Sequence, residues 1–244
     1  SAGVEETAED LKKLIDLGET MARKYWVTCT NPPYAGTSNL SARVNNFVKK
    51  NYPDSKADLF AVFIERCRTM TADNGFQAMI TQHSWMFIAS YENFRKKLLS
   101  CNIVNMTHLG AHAFDEIPGE VVQTVSFVLR NKYIGNYKGS YVRLLSEKTE
   151  NAKKLTFLQK KESFTLEQKV FNQIPRCEYV YWASEALIAD FKKYKKVREF
   201  CTVRNGLTTG DNDRFLRIWF EINREKTNQK WFPCNKGGAF RRWY

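Results

Sequence analysis

Tyr25-Trp26-Val27-Thr28-Cys29-Thr30-Asn31-Pro32-Pro33-Tyr34-Ala35-Gly36 is the stretch from which the fold can be read. Its first six residues are rich in β-formers and read as a buried strand. The next four make a corner. Two consecutive prolines have fixed φ and no N–H to donate, so the chain must leave the sheet as a rigid turn. The corner therefore stands at a strand's C-terminal end, the edge where an open α/β sheet binds its ligands.

What such a corner can do follows from its acceptors. The Asn31 side-chain oxygen and the Pro32 carbonyl can both accept hydrogens from one exocyclic amine. Held by both, the amine becomes pyramidal and turns its lone pair toward an electrophilic methyl group. Tyr34 is placed to stack on a planar base, and Pro33 keeps the turn from relaxing. These residues suit methyl transfer to an amine such as adenine N6, which is too conjugated to react unaided. The plainer alternative is a surface turn, since Asn and Pro are common turn residues.

The global figures bound this reading. At 244 residues, 43% hydrophobic and 14% aromatic, the chain can hold one good-sized core and part of a second unit. Cys29, Cys67, Cys101, Cys177, Cys201 and Cys234 lie far apart with no C-x-x-C pair. That is the thiol usage of a cytoplasmic protein rather than a zinc site or a disulfide framework. His108 and His112 have Gly110 between them and no acidic or Cys partner nearby, which argues against a metal. No signal peptide opens the chain, and no run approaches the ~18 apolar residues of a membrane span.

Charge is distributed unevenly. The net charge is +12, and from Asp190 onward 14 Lys or Arg face 6 Asp or Glu. Phe191, Tyr194, Phe215, Trp219, Trp231, Phe232, Phe240, Trp243 and Tyr244 interleave with these cations. The mixture suits phosphate backbone and bases. The alternative is an ordinary basic surface over an aromatic core.

In chain order, helix and strand alternate. Residues 5–24 read as a helix, 35–54 as a polar mobile loop over the site, and 57–71 as a helix capped by Asp54 or Ser55 with a Leu59, Phe60, Phe63, Ile64, Cys67 stripe. Gly75 is expected to end that helix before a strand at 76–81. A helix over 84–100 and a strand at 103–109 follow. Strands at 121–130 and 139–145, with a short turn-rich segment between them, are expected to pair antiparallel. Residues 151–189 read as two helices around Ile174-Pro175, and glycines punctuate a β-rich start from Val197.

With these residues in view, the sequence resembles the amino-methyltransferases that modify adenine in DNA. More closely, it is similar to the PglX-type enzymes of bacterial phage-exclusion (BREX) systems and to fused restriction-methylation enzymes. Beyond Asn31-Pro32-Pro33-Tyr34, four stretches carry the likeness. The first is Lys56-Ala57-Asp58-Leu59-Phe60-Ala61-Val62-Phe63-Ile64-Glu65-Arg66-Cys67, and the second is Ile80-Thr81-Gln82-His83-Ser84-Trp85-Met86-Phe87. The third is His108-Leu109-Gly110 with Phe114-Asp115-Glu116-Ile117-Pro118-Gly119-Glu120-Val121-Val122-Gln123-Thr124. The fourth runs from Gly206-Leu207-Thr208-Thr209-Gly210-Asp211-Asn212-Asp213-Arg214-Phe215 to Asn235-Lys236-Gly237-Gly238-Ala239-Phe240-Arg241-Arg242-Trp243-Tyr244.

The resemblance implies a Rossmann-like methyltransferase sheet of α/β class, mostly parallel with an antiparallel hairpin, followed by the start of a target-recognition domain. It implies a catalytic domain over 1–150, a helical hinge over 151–196 and a recognition region from 197 to 244. Asn31, Pro32, Pro33 and Tyr34 would hold a flipped adenine, and Phe114 would touch its other face. Phe63, and Asn31 beside it, would meet S-adenosylmethionine, though Phe63 also fits plain core packing. Gly206, Asn212, Arg214, Lys236, Arg241 and Arg242 would meet double-stranded DNA. Other subunits of a phage-defence system are the implied partners.

Two features depart from the family pattern. No G-x-G occurs, and 30 residues before Asn31 are too few for the first cofactor-binding βαβ unit. Residues 1–244 are therefore expected to be a fragment, lacking N-terminal strands and most of the recognition region, and inactive when isolated. In addition, Trp26 stands where the family strand usually has Asp. The leading expectation is adenine-N6 methylation of DNA with no covalent enzyme intermediate. RNA or protein-glutamine methylation stays open, as does a non-catalytic nucleic-acid-binding module.

Overall fold

The computed structural model describes residues 2–114, 122–202 and 208–234. The chain divides into two compact units, Ser1–Tyr194 and Lys195–Tyr244. Of residues 151–196, read from sequence as a helical hinge, 151–194 lie in the first unit and 195–196 in the second.

The first unit opens with helix α1 (Ala2–Ala22) and strand β1 (Tyr25–Thr30). Helices α2 (Ala42–Asn51) and α3 (Leu59–Met70) follow, and α3 runs without a loop into β2 (Thr71–Gln82). Helix α4 (Glu92–Leu98) precedes β3 (Asn102–Gly110), β4 (Thr124–Arg130) and β5 (Lys138–Arg143). Helix α5 (Glu150–Leu158), β6 (Ser163–Glu167) and α6 (Glu185–Lys193) complete the unit.

The six strands form one sheet in the order β1-β2-β4-β3-β5-β6. β1 with β2 and β3 with β5 are parallel pairs, whereas β4 is antiparallel to both its neighbours and β6 is antiparallel to β5. Four strands thus share one direction, as expected of a mostly parallel methyltransferase sheet, and β4 and β6 run against them. The expected hairpin between the fourth and fifth strands does not form, because β3 lies between them. β4 instead inserts between β2 and β3, and β5 turns back on β6.

One sheet face carries the core. Gln77, Met79 and Thr81 of β2 alternate with less buried neighbours, and Val125, Phe127 and Leu129 of β4 do the same, as a strand's period of two requires. They pack under Phe60 and Ile64 of α3, Phe94 and Leu98 of α4, and Trp85, Phe171 and Tyr179 from the connecting segments. On the other face Phe76 is exposed, with the Arg130 guanidinium over its ring. β1 is an edge strand with Trp26 and Val27 exposed, not the buried strand its β-formers suggested.

Other expectations shift for local reasons. Gly75 does not end a helix. It sits inside β2, where an added Cβ would stand 2.8 Å from the Trp26 carbonyl oxygen, so the close approach of β1 demands a residue without one. Within 35–54 lies α2, capped by the Ser41 hydroxyl, which accepts the Val44 N–H. The helix expected over 84–100 breaks into short turns at Ser84–Met86 and Ala89–Tyr91 before α4.

The second unit holds a short helix α7 (Asn212–Phe215), and none of its described residues is fully buried. Among the described residues, no helix is long and apolar enough to cross a membrane.

Candidate active site

β1 ends at Thr30, so Asn31 is the first residue beyond the sheet. β2 runs parallel to β1, and their C-terminal ends share one rim. There Asn31 and Pro33 are exposed, Pro32 is buried and Tyr34 is half-buried. The buried proline anchors the corner while Asn31 faces outward. The Tyr34 hydroxyl donates to Asn31 Oδ1 at 3.5 Å, a long bond that a better donor displaces easily.

The corner is held from behind. The Tyr34 ring meets Phe60 edge-on at 6.1 Å between centroids, and Phe60 in turn packs on Tyr91. Asp58 Oδ1 accepts the N–H of Ala35 at 2.9 Å and that of Phe60 at 3.3 Å, and the Ala35 carbonyl accepts the Leu59 N–H at 3.0 Å. Asp58 is therefore the cap of α3, in place of Asp54 or Ser55. Those two point elsewhere: Asp54 pairs with Lys97 at 2.7 Å, and the Ser55 hydroxyl donates to Glu65 at 2.7 Å. Burial raises the Asp58 carboxyl above its usual range, and the backbone N–H groups of Phe60, Ala35 and Leu59 oppose that rise. Burial, then the nearby Asp58 charge, pushes the Tyr34 phenol upward as well.

Phe63 is not in the core. Phe60, Ala61, Val62 and Ile64 around it on α3 are buried, whereas Phe63 is 37% exposed. An aromatic left facing solvent among buried neighbours is available to a planar ligand. Phe114, 38% exposed, follows β3, whose C-terminal end lies on the same rim as that of β1. Strands β2 and β4 separate the two ends.

Sequence reasoning missed two features of this rim, Asp58 as tether and a histidine pair. His83, just past β2, places Nδ1 2.6 Å from Nε2 of His108 on β3. His108 thus turns toward His83 rather than His112. The signal for Asp58 was present, as an Asp directly before the apolar run 59–64. The histidines are 25 residues apart, and only the inserted strand β4 brings them into register.

In the second unit, Asn212 begins α7 and accepts the Thr209 hydroxyl at 2.6 Å. Arg214 is exposed, its guanidinium 5.1 Å from the Phe215 ring centroid. Arg224 lies over Trp219 at 5.3 Å and Lys230 over Trp231 at 5.5 Å, beside a recess of about 1280 Å³. Gly206, Lys236, Arg241 and Arg242 lie outside the described residues.

Comparison with known proteins follows the same lines. Residues 3–114 match the family described as Eco57I restriction-modification methylase. The chain is 39% identical over 257 residues to the adenine-specific methyltransferase PglX of Lacticaseibacillus casei (strain Zhang), covering 96% of this chain and 21% of that protein. It is also 39% identical over 248 residues to the adenine-specific methyltransferase BrxX of Escherichia coli O9:H4 (strain HS), covering 98% of this chain and 20% of that protein. The chain thus spans about a fifth of the length of the curated relatives it matches. Among solved structures, the DrdV–DNA complex superposes with a TM-score of 0.52 at 16% identity, over 71% of this chain and 20% of that one, a likeness of fold. Residues 3–114 are thus similar to the Eco57I restriction-modification methylase family, and along nearly all its length the chain is similar to the adenine-specific methyltransferases PglX and BrxX.

Proposed function

We propose that this chain carries the base-binding side of an adenine-specific DNA methyltransferase, which transfers a methyl group to N6 of an adenine turned out of double-stranded DNA. The observation that carries the reading is Asn31. It stands exposed at the C-terminal rim, on a corner whose buried Pro32 and half-buried Tyr34 fix its direction. Asn31 Oδ1 and the Pro32 carbonyl accept the two N6 hydrogens, Tyr34 stacks on the purine, and Phe114 closes on its opposite face. The ends of β1 and β3 are three strand spacings apart, about 14 Å. Residues 111–114 can span about 13 Å when extended, so Phe114 can lean back toward the corner.

S-adenosylmethionine, when bound, supplies the electrophilic methyl group. The outward-facing ring of Phe63 and the exposed Asn31 fit such a ligand, with Phe63 offered to its adenine. With the donor bound, Asn31 Oδ1 and the Pro32 carbonyl would stabilise the positive charge that builds on N6 as it takes the methyl group, until its extra proton passes to solvent.

The second unit, with its stacked Arg214–Phe215 and Arg224–Trp219 pairs, supplies cations and rings suited to phosphates and bases, and Asn212, Gly206, Lys236, Arg241 and Arg242 are assigned to the same contact. A phage-exclusion or restriction-modification assembly is the setting, and its other subunits are the partners. Relatives named as adenine-specific methyltransferases favour DNA over an RNA or protein-glutamine acceptor, and transfer over binding alone.

Asn31→Ala in the intact protein tests the reading. Methyl incorporation into DNA falls by about 100-fold or more, the cost of one lost electrostatic contact at a reacting centre, while DNA affinity is retained. Unchanged turnover removes the assignment.

A further inference from the structure

We propose that Asp58 is a positioning residue that holds the Asn31–Tyr34 corner in its base-binding shape, by tying Ala35 to the N-terminus of α3. The inference rests on the reading of that corner given above.

Two hydrogen bonds join Ala35 to residues 58–59, and a third, within 58–60, caps α3. Asp58 Oδ1 takes the N–H of Ala35 at 2.9 Å and of Phe60 at 3.3 Å. The Ala35 carbonyl takes the Leu59 N–H at 3.0 Å, and Gly36 pairs with Asp58 as an antiparallel bridge. Pro32 and Pro33 contribute no N–H, so two of the donors that would normally fix a turn are missing from this one. The restraint must come from the residue that follows, and Ala35 is where it is applied.

Capping alone does not explain the carboxylate. Ser or Asn caps a helix about as well as Asp, without the cost of desolvating a charge. Asp58 is part-buried, and its charge acts on the Tyr34 and Tyr91 phenols. A partly buried carboxylate is kept in such a place when it serves more than one donor. Its second donor here is Ala35, the residue that sets where Tyr34, and through it Asn31, stands.

Two substitutions separate the cap from the tether. In Asp58→Asn the amide oxygen still reaches both N–H groups. In Asp58→Ser the hydroxyl caps α3 but lies one bond closer to the backbone, drawing the acceptor away from Ala35. Steady-state methylation of a DNA duplex is measured for both in the intact protein, beside amide hydrogen exchange at Ala35 in the wild type.

The expected result is a kcat about 100-fold lower for Asp58→Ser, with KM for donor and DNA unchanged, since misplacement by about 1 Å costs that much. Asp58→Asn stays close to wild type, and the Ala35 amide is protected from exchange. Equal kcat in the two variants, whether high or low, overturns the tether. So does rapid exchange of the wild-type Ala35 amide, a reading independent of whether the Ser variant folds. Unchanged turnover in Asn31→Ala instead removes the base-binding reading, so the two failures are distinguishable.

Discussion

His83 and His108 stand on either side of the first residues of β4, with Nδ1 of one 2.6 Å from Nε2 of the other. One proton lies between the two facing ring nitrogens, and burial disfavours a charge on either ring. Burial, with the His83, Arg143 and Lys153 charges behind it, pushes the His108 pKa down to about 3, and burial lowers His83 too. His108 is 1% exposed. The sign follows from that depression. An unfolded histidine takes a proton below about pH 6.5 while folded His108 does not, so stability is full above 6.5 and is lost as pH falls toward 3. Between pH 7.5 and 5 the unfolding free energy is expected to drop by about 2 kcal/mol from His108. Urea titrations across this range, on wild type and His108→Gln, provide the check. An equally steep fall in the variant refutes the assignment.

Arg95 presents a different problem, a guanidinium with no solvent exposure and, among the described residues, no ion pair, although the Glu178 charge acts on it from further off. It donates instead to backbone carbonyls: Trp85 at 2.8 Å, Ile88 at 2.7 Å and, through two nitrogens, Arg176 at 3.1 and 2.9 Å. Arg176 and Cys177 both hold positive φ, at 58° and 51°, where residues other than glycine are strained. The bond to Arg176 fastens that turn to α4. Arg95→Met keeps the volume but leaves three carbonyls short of a donor, and is expected to cost about 3 kcal/mol. Urea unfolding measures it, and a loss under about 1 kcal/mol would show that the turn holds without the arginine.

The same arginine explains part of what the sequence hid. An unbroken helix over 84–100 would satisfy the Trp85 and Ile88 carbonyls internally, and local periodicity suggests one. Arg95 takes those carbonyls instead, and its bond to Arg176 reaches 81 residues along the chain. No local pattern reports such a partner. The strand β6 was missed because Ser163-Phe164-Thr165-Leu166-Glu167 is short and lies at an edge with no fully buried residue. Helix α2 was missed although Val44, Phe47 and Val48 stand at i, i+3 and i+4, because the Ser, Asn, Gly and Pro residues around that short stripe read as loop. What was legible was the rim. Two prolines after β-formers place Asn31 beyond a strand by sterics alone, and that needs no distant contact.

Phe63 gives the sharpest separation of packing from binding. Its neighbours on α3 are buried and it is 37% exposed, so truncation removes little from the core. Phe63→Ala is therefore expected to cost about 1–2 kcal/mol of stability, less than a core phenylalanine would. If the ring packs on the donor's adenine, the same change weakens S-adenosylmethionine binding about 10-fold, the worth of one aromatic contact, and Phe63→Tyr restores it. Calorimetric titration of the intact protein with S-adenosylmethionine, beside thermal unfolding of each variant, reads both quantities. A Phe63→Ala protein that unfolds early and binds normally would return Phe63 to the core. One that keeps most of its stability and loses affinity places the cofactor against α3, next to the corner proposed to hold the base.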